Sequence, residues 1–257
     1  MIRAVTFDCW GTLIADRDFA SATAARVRAV AQAAGGAMSS EEAAELLRRA
    51  WAEHHHHWLA GRQFGSPGIA RYIAGELGDD AVYGLLQEAF EDAGRHGRIE
   101  EVPGAAATLA ELRRLGLRTA LVCDAGMTPG RIVRDFLDEH GLLDHLEFCA
   151  FSDEVGEPKP SPRIFEAALS AIGTAPGDAV HVGDLLRTDV DGARALGMKT
   201  VRMTAVNDDH RLGFSWDAEA VLSGRVPEAV PPFADADEVI SSYAELLPAL
   251  RRLGAPI

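Results

Sequence analysis

The chain has 257 residues, of which 47% are apolar and 25% are charged, and its formal charge is −14. A chain of this length buries roughly three quarters of its unfolded surface, so neither a disulfide nor a structural metal is needed for stability. The negative charge repels polyanions, and we therefore expect neither nucleic acid nor an anionic membrane surface as partner. One core domain with a smaller accessory domain is the expected division.

The cysteines form an odd set without metal-ligand spacing, which predicts reduced thiols and a cytoplasmic location. No apolar run is long enough to span a bilayer, and the N-terminus leads directly into a strand instead of a signal segment. A small anion can still bind where the local field is positive, so a small molecule is the expected partner. The sequence is compatible with a monomer and with a homodimer.

The first predicted strand, Ile2 to Phe7, is apolar and ends at Asp8, with Gly11 shortly after. This pattern indicates a buried strand that delivers a carboxylate to a loop. From about Asp18 to about Gly97 the apolar periodicity becomes helical and predicts no strand. The segment is therefore predicted to be an all-helical insertion.

Three patterns mark helix starts within the insertion. Ser39 and Glu42 have the spacing of a capping box. Ser66 followed by Pro67, and Asp79 followed by Asp80, predict two further starts.

After Pro103 the chain alternates between helix and strand, which predicts βαβ units and a doubly wound parallel sheet in the α/β class. The predicted helices are Ala105 to Leu115, Thr128 to His140, Arg163 to Ile172 and Thr188 to Leu196, and the predicted strands are Arg118 to Cys123, Leu146 to Phe151, Ala179 to Val182 and Thr200 to Met203. A last strand near Val239 and a helix from Ser242 follow Ala205 to Asp235, a long segment whose role stays open.

Polar residues follow several of these strands, where active sites of such sheets lie. They are Asp8, Cys123 with Asp124, and Gly183 with Asp184. Four sequence pieces, FDCWGTL, VCDAG, KP with SPRIF, and HVGDLLRTD, occur in order at these strand ends and loops. Together they resemble the haloacid dehalogenase superfamily over Met1 to Asp16 and Val102 to Met203.

The resemblance implies a Rossmann-like α/β core of residues 1–16 and 102–257 and a helical cap of residues 17–101. The cap is expected to move as a lid about joins near Asp16 and Val102. The implied activity is hydrolysis of a small phosphorylated metabolite through an aspartyl-phosphate intermediate.

By this resemblance Asp8 is the nucleophile, and a carboxylate suits the role because it is ionised at neutral pH without a neighbouring base. Gly11 allows a tight turn, and Thr12 is expected to orient the loop through its hydroxyl. The alternative for Asp8 is a strand-end residue that caps the following loop, and the companion motifs favour the nucleophile over it.

A carboxylate and a phosphate repel each other, so a cation between them is expected, and Mg²⁺ prefers oxygen ligands. The resemblance assigns this ion to Asp8, the backbone carbonyl of Trp10 and Asp184, with Asp189 as an additional or outer-sphere acid. Without the other motifs, Asp184 and Asp189 are a loop residue and a helix-starting residue. Asp191 is predicted to lie on a helix surface.

Lys159 resembles the family's lysine that offsets negative charge on the nucleophile and the transferring group. A solvated loop lysine is the alternative. Cys123 and Asp124 stand where the family has a Ser or Thr that contacts the phosphate. A thiol donates weakly, so backbone amides near Asp124 are expected to carry more of that contact.

The main departure from the family is Trp10, which occupies the position of the second Asp that protonates the leaving group. An indole cannot exchange a proton near neutral pH. Three hypotheses follow. A phosphohydrolase would use a leaving group that needs little protonation, or an acid from elsewhere such as a cap histidine. A dehalogenase would need no proton and would use a cation such as Arg17. A non-catalytic member would bind a phosphorylated ligand only.

The run His54 to His57 lies in a predicted helix, so its four rings point around nearly a full turn. His54 and His57 alone can share a face. An exposed polar face is the favoured interpretation, ahead of substrate contact and of metal binding. Trp51, Trp58 and Phe64 are interpreted as cap core or as an apolar surface toward the substrate.

Overall fold

A computed structural model describes residues 1–208 and 234–257. Its strands are β1 Ala4–Phe7, β2 Ile14–Asp16, β3 Ile99–Glu101, β4 Arg118–Cys123, β5 Phe148–Phe151, β6 Ala179–Gly183, β7 Lys199–Met203 and β8 Glu238–Ile240. Six of them form a parallel sheet in the order β5-β4-β1-β6-β7-β8. Phe7 pairs with Leu121 on β4 and with Val182 on β6, so Asp8 emerges between two strand ends.

Helices cover both faces of this sheet, which confirms the doubly wound α/β prediction. The helices of the core are α5 Ala105–Arg114, α6 Gly130–Glu139, α7 Ser152–Val155, α8 Pro162–Ala171, α9 Asp191–Ala195 and α10 Leu246–Arg252. Helices α5, α6 and α10 bury their apolar residues on one face, and α8 and α9 do so on the other. A π-helical turn, Leu186–Val190, precedes α9, so the helix predicted from Thr188 is divided in two.

The predicted helical insertion forms a cap of four helices, α1 Phe19–Ala33, α2 Ser40–Leu59, α3 Gly65–Leu77 and α4 Tyr83–Ala93. These helices share an apolar cluster, which also includes Met127 from the core. The capping box of Ser39 and Glu42 is confirmed, and Asp79 caps a 3₁₀ turn before α4. The helix start predicted at Ser66 is confirmed to within one residue, because α3 begins at Gly65, and the Ser66 hydroxyl donates to Glu91.

Two short strands join cap and core, and the sequence did not indicate them. Strands β2 and β3 form an antiparallel ribbon in which Asp16 pairs with Ile99. The backbone N–H of Val102 donates to the carbonyl of Leu13 beside it, at 2.9 Å. Three-residue strands are too short to display an alternating pattern, which explains the omission.

Most of Ala205 to Asp235 lies outside the described residues. Its described ends contact the core, since Arg202 pairs with Asp208 at 3.1 Å and with Asp235 at 2.8 Å. Among the described helices, none has the length and apolarity that crossing a bilayer requires.

Candidate active site

Asp8 is held by a tight turn at the carboxyl end of β1. The residue is 6% exposed, and the next residues fold back so that the N–H groups of Leu13 and Ile14 donate to the Cys9 carbonyl. Gly11 has a φ of 80°, a left-handed conformation that favours glycine. From the C-terminal region, the buried Tyr243 hydroxyl donates to the Thr12 carbonyl at 2.9 Å. The turn is therefore fixed on both sides.

Lys159 bridges two buried carboxylates. Its Nζ lies 2.6 Å from Asp8 Oδ1 and 2.6 Å from Asp189 Oδ1, and the residue is 2% exposed. Burial opposes the charged form, but Asp189, Asp8 and Asp124 together raise the pKa of Lys159 well above its ordinary value. The structure thus places a buried, charged lysine beside the predicted nucleophile. The alternative of a solvated loop lysine is wrong.

Asp189 orients this lysine and is itself held by several donors. Its Oδ2 accepts the Leu185 N–H at 2.9 Å, and its Oδ1 lies 3.2 Å from Nε2 of His181. Burial would raise the pKa of Asp189, but Lys159 and His181 together hold it below its usual range.

His181, on β6, is a site residue that sequence reasoning missed. Its Nδ1 lies 2.8 Å from the Thr6 hydroxyl, and burial lowers the pKa of the imidazole. In the sequence it is a single polar residue within a buried apolar strand, two positions before Gly183. The sequence pattern of that strand does not distinguish a site residue from a core residue.

Asp184 faces Asp8 across the turn. One carboxylate oxygen each of Asp8, Asp184 and Asp189 lies within 4.8 Å of the others, and all three residues are buried. Burial raises the pKa of Asp8 to about 7, against the opposing effect of Lys159, and burial with repulsion from Asp8 and Asp189 raises the pKa of Asp184. Asn207, which sequence reasoning also missed, donates to Asp184 Oδ2 at 2.6 Å.

This set of donors fits a hard divalent cation. Three close carboxylates with a single lysine carry excess negative charge, and their oxygens are the ligands that Mg²⁺ prefers. Because both oxygens of Asp189 already accept hydrogen bonds, Asp8 and Asp184 have the freer oxygens for an ion.

Asp124 lies at the next strand end and connects three parts of the molecule. Its Oδ1 accepts the backbone N–H of Lys159, and its Oδ2 accepts the indole N–H of Trp58 from α2, both at 2.8 Å. Burial raises the pKa of the Asp124 carboxyl and of the neighbouring Cys123 thiol. Cys123 is therefore a neutral, weak donor.

The cap contacts the core directly beside this carboxylate. The guanidinium of Arg187, from the π-helical turn, lies 3.8 Å from the ring centroid of Trp58. Gln63 donates to the carbonyl of Ala125 at 2.9 Å. Trp58 thus faces the site, one of the two interpretations that the sequence allowed for the cap aromatics.

Trp10 and Arg17 make contacts with residues outside the cluster of Lys159 and the buried acids. Trp10 is partly buried and packs edge-on against Phe136, with ring centroids 6.3 Å apart. Arg17 is exposed, and its Nε lies 3.6 Å from Glu100 on the ribbon. The cation proposed for a dehalogenase therefore already has a carboxylate partner.

The prediction of an exposed histidine face is wrong for His54. This residue is 9% exposed, its Nδ1 accepts the Gly65 N–H at 3.2 Å, and its ring lies 4.7 Å from that of Trp51. Burial lowers the pKa of His54 to about 4, so it is neutral at pH 7. His57 is more exposed and stacks on Phe64 at 4.5 Å.

Sequence comparison finds related hydrolases. The mouse protein named "Haloacid dehalogenase-like hydrolase domain-containing protein 3" is 31% identical over 183 residues, which are 71% of this chain and 64% of that protein. A phosphoserine phosphatase of Thermus thermophilus is 43% identical over 116 residues, 45% of each chain. The chain thus spans less than two thirds of the length of these relatives.

Solved structures share the whole fold. A HAD phosphatase from Thermococcus onnurineus superposes with a TM-score of 0.63 at 25% identity and covers 97% of this chain and 98% of its own. A 2-haloacid dehalogenase from Pseudomonas syringae superposes with a TM-score of 0.67 at 23% identity, covering 98% and 99%, and shows the fold alone. The family model for haloacid dehalogenase-like hydrolases matches residues 2–197, and the chain belongs to that family.

Proposed function

We propose that the chain is a magnesium-dependent phosphohydrolase of small phosphorylated metabolites, with Asp8 as nucleophile. The observation that carries this proposal is the buried arrangement in which Lys159 holds Asp8 on one side while Asp184 faces it on the other. A phosphoryl group at Asp8 would meet a cation on each side. Relatives named phosphoserine phosphatase and phosphoglycolate phosphatase support the same chemistry.

The reaction would begin with attack of an Asp8 oxygen on phosphorus, forming an aspartyl phosphate as the bond to the leaving oxygen breaks. Lys159 would stabilise the charge on the transferring group in a site closed to water. The Gly11 and Thr12 turn and the amides near Cys123 and Asp124 would position the phosphoryl oxygens. Water would then hydrolyse the intermediate and free Asp8.

Magnesium, held by Asp8, the Trp10 carbonyl and Asp184 with Asp189 in an outer position, would offset the repulsion between carboxylate and phosphate and orient the phosphoryl group. Burial and repulsion between the carboxylates raise the pKa values of Asp8 and Asp184, and a bound cation would favour their ionised forms, which supports this assignment.

The leaving group is limited by the missing acid. Trp10 exchanges no proton, and His54, being neutral at pH 7, is not a protonated acid there. We therefore propose substrates whose leaving group needs little protonation, such as acyl phosphates.

Dehalogenation is the second candidate, because a halide leaves without a proton and an aromatic residue occupies position 10. The fold similarity to 2-haloacid dehalogenases is compatible with it. Two observations weigh against dehalogenation. Arg17, the candidate cation for the halide, is already paired with Glu100. The cluster of three carboxylates suits a metal ion, which dehalogenation does not need.

One pair of assays tests these functions. Phosphate release from an aryl phosphate is measured with Mg²⁺ and after chelation, beside halide release from 2-chloropropionate. We expect magnesium-dependent phosphate release that Asp8→Asn and Asp184→Asn abolish. Asp191→Asn is the matched control, because Asp191 lies on the helix surface and pairs with Arg194.

Halide release that persists without metal would contradict the phosphohydrolase proposal and identify the chain as a dehalogenase. If neither product forms, titration with phosphorylated ligands would reveal a binding protein, and the proposal of turnover fails.

A further inference from the structure

Arg187 has hydrogen-bonding capacity that the protein does not use. It lies in the π-helical turn between Asp184 and Asp189, and its Nη2 is buried without a hydrogen-bond partner in the described part of the chain. A buried charged donor without an acceptor is costly, so such groups commonly have a ligand or water as partner. The free Nη2 therefore marks a place for an acceptor.

The position of this guanidinium is fixed from the cap side. Its face lies 3.8 Å from the Trp58 ring, and the Trp58 indole N–H is itself bound to Asp124 at 2.8 Å. Asp124 in turn accepts the Lys159 backbone N–H. Since stacking leaves the edge of the guanidinium available, its N–H groups keep their directions while the cation stays in place.

Arg187 lies at the boundary between core and cap, on the cap side of the candidate site. The phosphorus has to reach Asp8 at the floor of the site, so the substituent it carries extends toward the cap. Trp58 belongs to the cap and contacts Arg187, which places this cation at the core–cap boundary. The group that meets Arg187 is thus the substituent.

The charges favour an anionic substituent. Lys159 is shared between Asp8 and Asp189, whereas Arg187 forms no ion pair among the described residues. A planar guanidinium matches the two oxygens of a carboxylate, with two parallel hydrogen bonds. Nearby Asp124 is already engaged by Trp58 and Lys159.

We propose that Arg187 binds a carboxylate of the substrate and selects phosphorylated carboxylic acids, in which phosphoryl and carboxylate groups are a few bonds apart. This inference rests on the proposed function for the identity of the reacting group. It adds a specificity-determining residue and a substrate class.

Binding of two non-hydrolysable probes tests the inference without turnover. Phosphonoacetate and ethylphosphonate differ in the carboxylate, and their dissociation constants are measured by calorimetry with Mg²⁺ present. We expect the parent protein to prefer phosphonoacetate by about tenfold or more. Arg187→Met should bring the ratio of the two dissociation constants close to one. Arg187→Lys should give an intermediate ratio, because lysine keeps the positive charge but lacks the two parallel N–H donors of the guanidinium.

Arg163→Met is the matched control, because Arg163 is an exposed arginine paired with Glu157. It should keep the parent's ratio. Equal binding of both probes by the parent, or an unchanged ratio in a folded Arg187→Met, would overturn the inference. If the protein prefers phosphonoacetate but releases no phosphate in the assay above, only the proposed function is overturned.

Discussion

Gly11 lies so close to Asp184 that no side chain fits between them. A Cβ at residue 11 would overlap the Asp184 carboxylate and lie 2.6 Å from Nδ2 of Asn207. The same residue has a φ of 80°. Turn conformation and acid placement therefore depend on one glycine.

Gly11→Ala should reduce both stability and activity. A left-handed alanine costs about 1–2 kcal/mol, and the overlap adds to this and displaces Asp184. Gly116→Ala is the matched control, since Gly116 has the same φ of 80° with no atom within 4 Å of its Cβ position. Urea unfolding and phosphate release should show a larger loss for Gly11→Ala, with activity lost only there. Equal losses would contradict the role of the contact.

His54 should make stability depend on pH. Its pKa is about 4 in the fold against an ordinary 6.5, so between these values the unfolded state binds more protons and stability rises with pH. The contribution is on the order of 3 kcal/mol, present above pH 6.5 and lost as the pH falls through 4. His54→Gln should remove this part of the slope in urea unfolding across that range.

His56→Gln controls for the change in helix composition, because His56 is exposed on the same helix. If His54→Gln retains the parent's slope, the assignment of the pH dependence to His54 is incorrect.

The sequence predicted those residues of the candidate site that directly follow strands. Asp8, Asp124 and Asp184 each come after a buried apolar run, and parallel strands bring such ends together. His181 and Asn207 escaped prediction because their roles depend on contacts across the sheet and with a distant loop. No local pattern records those contacts.

The same limit explains the histidine error. Helical periodicity locates His54 on α2, but its burial depends on how the cap folds around Phe64 and docks near Gly126. Tertiary packing decided which face of that helix is covered, and a run of four polar residues gives no information about it.

The pair Thr6 and His181 should behave as one unit. The Thr6 hydroxyl and His181 Nδ1 are buried and 2.8 Å apart, so Thr6→Val leaves the imidazole nitrogen unpaired at a cost of about 1–3 kcal/mol. His181→Leu should cost a similar amount and also reduce kcat, because Asp189 loses a donor that helps to orient Lys159. Urea unfolding of both single variants and the double variant measures the coupling. A strictly additive double variant would show that the hydrogen bond contributes nothing.

Trp10→Asp should restore proton transfer to a basic leaving group. A carboxyl group at position 10 can protonate the leaving alkoxide, which is worth about a hundredfold or more in rate. We therefore expect kcat for an alkyl phosphate to rise by that order, with a smaller rise for an aryl phosphate, whose leaving group needs less protonation.

Trp10→Asn is the matched control, since it opens the same space and exchanges no proton. Loss of the contact with Phe136 should lower the stability of both variants equally, as thermal unfolding can verify. An equal gain in Trp10→Asn would assign the effect to space, whereas a gain confined to Trp10→Asp would locate the constraint on leaving groups in the missing acid.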